Sequence, residues 1–135
     1  MAEPAPLAVS DVAQVVVVDN LTRSQIVQYA GASGDFNPLH TDEVYAVQVA
    51  GFPSVFAHGM LTMALTGKAL TGLFGAERLR RFGGRFKAQV WPGDTLTAQV
   101  SVTAIDADGA ADILVVTRNQ NGIPVFEGNA KIGAA

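Results

Sequence analysis

Asp35, Asn37 and His40 stand in one short run, Ser33-Gly34-Asp35-Phe36-Asn37-Pro38-Leu39-His40. A carboxylate and an imidazole are side chains suited to moving protons near neutral pH. The Asn-Pro bend between them can bring both to the same small space. With a water held between the two, the carboxylate can withdraw a proton while the imidazole orients the water or handles the second proton. Asn37 can bond the histidine region or a substrate oxygen. A purely structural alternative stays open: Asp35 caps a turn, Asn37 builds an Asx-turn and His40 packs in the core. The second of the two histidines lies in His58-Gly59-Met60, directly before a long apolar run. If a helix begins there, its first-turn amides have no intrahelical acceptor. Gly59 can then offer an N–H to an oxygen that gains negative charge, as in carbonyl chemistry through an enolate. The alternative is a glycine that serves only helix entry.

Such groups need elements to hold them. Residues 1–13 read as a loose lead-in and Gln14–Val18 as a first strand. Asp19, Asn20 and Thr22 offer caps for a helix from Arg23 to Ala32, which ends into Ser33-Gly34. Pro38 stops regular helix and biases Asn37 toward extended backbone, so 34–40 is a loop. Thr41 or Asp42 caps a short helix through Val49, broken by Gly51 and Pro53. From His58 to Leu73 the chain is apolar nearly all round, which predicts a buried helix. Gly67 inside it implies close packing where a side chain is missing. Strands follow: Arg78–Val90 with a bulge or bend at Gly83-Gly84, and Thr95–Ile105 with Leu96, Ala98, Val100, Val102 and Ala104 on one face. Ile113–Arg118 and Ile123–Ile132 follow, joined by the turn Asn119-Gln120-Asn121-Gly122. The sum is an α+β chain with one buried helix and an antiparallel sheet, organised as a single domain over 1–135. The free edges of so small a sheet favour pairing between two copies.

Composition narrows the chemistry. A formal net charge of -3 argues against a nucleic-acid partner. The basic cluster Arg78, Arg80, Arg81, Arg85 and Lys87 is local and suits either a phosphate-bearing small molecule or a solvated strand face. The absence of cysteine removes disulfides, thiolate chemistry and cysteine-based zinc sites. Asp35 and His40 are not spaced like a helical metal-binding pair, so no metal is expected. The N-terminus does not read as a signal peptide and no apolar stretch reaches spanning length, so a cytoplasmic protein with no membrane partner is expected. No glycine-rich run leads to Lys-Ser or Lys-Thr, which disfavours a nucleoside triphosphate site. Phe52, Phe56, Phe82 and Phe86 suit the core or an acyl pocket. Trp91-Pro92-Gly93-Asp94 reads as a packed corner.

The run Tyr29-Ala30-Gly31-Ala32-Ser33-Gly34-Asp35-Phe36-Asn37-Pro38-Leu39-His40, with Ala46 after it and His58-Gly59-Met60-Leu61 further on, resembles the MaoC-like, or hydratase 2, family of (R)-specific enoyl-thioester hydratases and dehydratases. The resemblance runs from Leu21 through Phe86 and Pro92-Gly93-Asp94, and in detail is nearest to short actinobacterial dehydratase subunits. It implies a hot-dog fold, in which a curved antiparallel sheet wraps a long central helix. It also implies subunits joined edge to edge as a homodimer, or as a heterodimer with a homologous subunit. The implied substrate is a trans-2-enoyl thioester of coenzyme A or acyl carrier protein, hydrated reversibly to the (R)-3-hydroxyacyl thioester, with no cofactor beyond that carrier. By motif, Asp35 and His40 are then the catalytic pair, Asn37 aligns them or the substrate, and the Gly59 amide polarises the thioester carbonyl. His58 is a structural or pocket-lining neighbour rather than the catalytic imidazole, and Met60, Phe56 and Phe86 line the substrate pocket. One departure stands out: some such hydratases carry a serine in the long helix where this chain has Gly67. Two other readings compete: a hot-dog acyl thioesterase, which would release free thiol, and a non-catalytic acyl-thioester-binding partner subunit.

Overall fold

The computed structural model describes residues 6–135. Strand β1 (Val12–Val18) leads to helix α1 (Arg23–Ser33), a loop, a short π-helical segment (Tyr45–Val49) and the long helix α2 (Gly59–Phe74). Strands β2 (Leu79–Phe86), β3 (Leu96–Ile105), β4 (Ala111–Arg118) and β5 (Pro124–Ile132) complete the chain. The five strands form one antiparallel sheet in the order β1-β3-β4-β5-β2.

Local chemistry accounts for most boundaries. Thr22 caps α1 with a full capping box: its hydroxyl accepts from Gln25 N while the Gln25 side chain accepts from Thr22 N. Gly34 ends the helix at φ 75°, donating its N–H to Ala30 O. The Asp42 carboxylate accepts from Tyr45 N and starts the next turn, which winds as π rather than α. β1 begins at Val12, earlier than the lead-in read from sequence, because Val12 and Ala13 pair with Ser101 and Val100 of β3. Residues 1–5 of that lead-in lie outside the described residues.

Helix α2 packs on the sheet through Ala69 and Leu70, which join Val100, Ile113, Val115, Phe126 and Ile132 in the main core. A second cluster (Ile26 of α1, Ala57, Leu61, Val90, Leu96 and Val125) fills the end nearer the loop. The buried hydroxyls of Thr66 and Thr117 meet at 2.7 Å and satisfy each other where α2 crosses β4. This long helix across an antiparallel sheet is the hot-dog arrangement.

Three expectations are corrected. The long helix is not buried all round: Met60 and Leu73 are exposed, because the sheet covers one side only. Gly83-Gly84 form neither bulge nor bend, since they pair in continuous register with Asn129 and Gly128. A Cβ at Gly84 would collide with the Glu127 backbone oxygen and the Phe126 ring, so close packing requires the glycine. The inward alternation of β3 holds from Leu96 to Val102 and fails at Ala104, which is exposed. The register against β4 shifts between Val102 and Ala104, and the extra residue turns Ala104 outward.

Candidate active site

The loop after α1 is built by its own side chains. Asp35 N donates to Ser33 Oγ, Asn37 N to Asp35 Oδ1 (3.2 Å) and Leu39 N to Asn37 Oδ1 (3.0 Å). These are successive Ser and Asx turns. Asn37 therefore spends its oxygen on the loop's own backbone and shapes the turn between Asp35 and His40. Asp35 is exposed, whereas His40 is buried.

Two main-chain oxygens set the tautomers of both imidazoles. His40 Nδ1 lies 2.6 Å from Phe56 O, and His58 Nε2 lies 3.0 Å from Asp35 O. A carbonyl oxygen only accepts, so these nitrogens carry the protons. His40 keeps its Nε2 lone pair free, and His58 keeps that of Nδ1. The rings stack with centroids 3.8 Å apart and planes 26° from parallel. Burial is the main influence holding the pKa of His40 below the usual imidazole value. The nearby His58 adds to that lowering, while the Phe56 carbonyl and the Asp35 carboxylate oppose it.

Asp35, His40 and His58 each offer an atom within 4.8 Å of the others. The stacked rings, with planes 26° from parallel, hold their in-plane lone pairs in separate planes, unlike the convergent ligands of a tetrahedral ion.

Gly59 opens α2, so its N–H lies in the first turn with no intrahelical acceptor. A side chain here would meet the ring of Phe86 at 3.0 Å. Gly59 lines a cavity of about 290 Å³ together with Phe56, Thr62, Phe86, Lys87 and Val125. His40 adjoins this cavity through Phe56, whose ring it meets edge-on at 5.2 Å. Of the candidate pocket residues, Phe56 and Phe86 are at its wall. His58 lies behind it, 2% exposed, and Met60 points outward, 54% exposed.

Thr62, one helical turn after Gly59, is a further residue of the cavity wall. At Gly67, a Cβ would sit 3.2 Å from the Phe82 ring, so Phe82 takes the space beside the helix. Thr66 does not stand in for the missing serine, because its hydroxyl is engaged with Thr62 O and Thr117. Asp94 is structural: its carboxylate accepts from Trp91 N and from the Gln120 amide and holds the corner at Gly93.

The family model described as "MaoC like domain" matches residues 8–122. An (R)-specific enoyl-CoA hydratase from Rhodospirillum rubrum is 37% identical over 119 residues, covering 83% of this chain and 78% of that protein. The 3-hydroxyacyl-thioester dehydratase Y of Mycobacterium tuberculosis is 37% identical over 86 residues, covering 62% of this chain and 30% of its own length. The chain spans less than a third of several of the curated relatives it matches, only 6% in a fatty acid synthase β subunit of Emericella nidulans. Among solved structures, the (R)-hydratase from A. caviae involved in PHA biosynthesis superposes with a TM-score of 0.85 at 30% identity. That superposition covers 96% of this chain and 98% of the other.

Proposed function

Because the chain belongs to the MaoC-like domain family, we propose that it adds water reversibly to trans-2-enoyl thioesters of coenzyme A or acyl carrier protein, giving (R)-3-hydroxyacyl thioesters. One observation carries the reading. A carboxylate oxygen of Asp35 and a ring nitrogen of buried His40 lie within 4.8 Å of each other, with Nε2 of that ring left free, beside a cavity that starts at a helix-terminal amide. Two hydrogen bonds of about 2.8 Å at a tetrahedral angle span about 4.6 Å, which is the reach of one bridging water.

In hydration that water gives one hydrogen bond to Asp35 and one to His40 Nε2, which leaves an oxygen lone pair for C3 of the alkene. As the C–O bond forms, the pair takes one proton from the water. The alkene electrons move toward the thioester oxygen, where the Gly59 N–H meets the growing charge. The enolate collapses as the proton returns to C2, so the hydroxyl and the proton of water both add from the side of the pair. Dehydration runs the same steps in reverse. Phe56 and Phe86 supply apolar wall for the acyl portion and keep bulk water from the enolate.

The test is direct. The protein is mixed with trans-2-enoyl thioesters of graded chain length on both carriers. Loss of the conjugated-alkene absorbance and the chirality of the product are then followed. An (R)-3-hydroxyacyl product supports the reading. Thiol release without hydroxyacyl product points to a thioesterase, and binding without turnover, alone or with a homologous subunit, to a non-catalytic partner.

A pH profile checks the state of His40. Turnover needs the unprotonated Nε2, and burial lowers the pKa of this ring. Activity is therefore present above the folded-state pKa and lost as pH falls through it. The acid limb of kcat/KM is expected below the ordinary histidine value of about 6.5. A limb centred above that value would count against a neutral His40.

Phe36 (69%), Met60 (54%) and Phe86 (49%) are large apolar side chains exposed around the site. We infer that a second hot-dog subunit covers them, a copy of this chain or a homologue, and a native mass measurement distinguishes these. No helix among the described residues is long and apolar enough to cross a membrane.

A further inference from the structure

His58 is 2% exposed and stands at the N-cap of α2, yet its side chain caps nothing. Serine, asparagine or aspartate would cap the helix better, and an apolar side chain would fill the space without burying a polar atom. The Nδ1 of His58 is the one buried side-chain nitrogen or oxygen among the described residues with no hydrogen-bond partner, and such an atom costs stability. What an imidazole does here, and those residues would not, is make contacts on three sides at once. Its Nε2–H bonds the Asp35 carbonyl at 3.0 Å. One face stacks on His40 at 3.8 Å. The ring also meets Tyr29 of α1 at 4.9 Å, with the planes 65° apart.

We propose that His58 is a positioning residue: it fixes Asp35 through its main-chain carbonyl and His40 through its ring face, and so sets the distance between them. The inference rests on the reading of Asp35 and His40 given above. The carboxylate of Asp35 is exposed, and its one hydrogen bond among the described residues is from Asn37 N, inside the same loop. The carbonyl ties that residue to His58, the N-cap of α2, whose first residue is Gly59. One side chain therefore ties the carboxylate, the imidazole and the helix-terminal amide to a common frame. The titratable groups around His40 are Asp35 from its own loop and His58 from the start of α2, with Tyr29 of α1 behind His58.

Two substitutions separate the contacts. His58→Phe keeps a flat ring for His40 but removes the donor. His58→Gln keeps an N–H able to reach the Asp35 carbonyl but removes the ring. On a trans-2-enoyl thioester that the parent hydrates, His58→Phe is expected to lower kcat on the order of 10²-fold with KM little changed, the effect of misplacing one reacting group. His58→Gln is expected to return part of that loss, and both variants to move the acid limb of the pH profile upward, since the charge of a second imidazole no longer opposes protonation of His40. NMR of the imidazole nitrogens gives a readout independent of turnover. With two histidines in the chain, each is assigned from the other's substitution. The parent should show His40 protonated on Nδ1 and His58 on Nε2, and the His40 titration should rise in both variants. Unchanged kcat and an unchanged His40 titration in both variants overturn the proposal. So does an equal loss of kcat in both that follows a lowered unfolding midpoint with no change in the His40 titration. If the parent turns over no enoyl thioester, the functional reading fails, while the nitrogen assignments and the His40 titration still decide the positioning.

Discussion

Asp35→Asn is expected to reduce turnover by about 10²- to 10⁴-fold, the range for a positioned proton-transfer group, and to leave the fold intact. The substitution keeps the shape of the side chain and an oxygen able to accept from Asn37 N. It leaves in place the backbone bonds of residue 35 to Ser33 and His58. Because the side chain is exposed, its replacement empties no core space. It removes the carboxylate charge that, in the proposed mechanism, helps draw the proton from water. Steady-state kinetics on an enoyl thioester, beside circular dichroism and a thermal melt, measure both parts. A variant with parent-like turnover would remove Asp35 from the chemistry.

Phe126→Ala should cost about 3–5 kcal/mol of stability, as for other fully buried aromatic side chains. Phe126 is 0% exposed, and its ring meets Phe82 and Phe86 with centroids 5.7 Å from each. It also packs where Gly84 and Gly128 leave no room for a Cβ. The cavity left behind would lie beneath Phe86, which covers Gly59, so KM is expected to rise along with the loss of stability. Urea unfolding gives the first number and saturation kinetics the second. A loss under about 1 kcal/mol would mean that the neighbouring rings close the gap.

Local signals in the chain located these elements well, and non-local ones did not. Thr22, three residues before Gln25, marks the start of α1 because both partners of its capping box lie in one stretch. The alternation from Leu96 to Val102 marks β3 because a sheet with one covered face demands it. Ala104 broke the pattern because its orientation depends on register against β4. Gly83-Gly84 looked like a bend because the groups that exclude a side chain at Gly84, the Glu127 oxygen and the Phe126 ring, are far along the chain. The carboxylate and imidazole that the structure brings together were legible by type and spacing. Which nitrogen of His40 is free was not, because the carbonyl of Phe56 decides it. Nor did adjacency to Gly59 tell that His58 lies behind the cavity rather than at its wall.

Strand order has a consequence for how this molecule is assembled. β1 and β2 are the two outermost strands, and everything between them in sequence is loop and helix. Asp35, His40, His58, Gly59 and Thr62 therefore come from one uninterrupted stretch. β3, β4 and β5 form a consecutive meander with local pairing. Short-range hairpins close faster than distant contacts, so the meander can form first and serve as a template on which the reactive stretch docks as a unit. The same layout makes that stretch a natural cassette: exchanged whole between related chains, it would carry Asp35, both imidazoles and the Gly59 amide with it while the meander stayed in place.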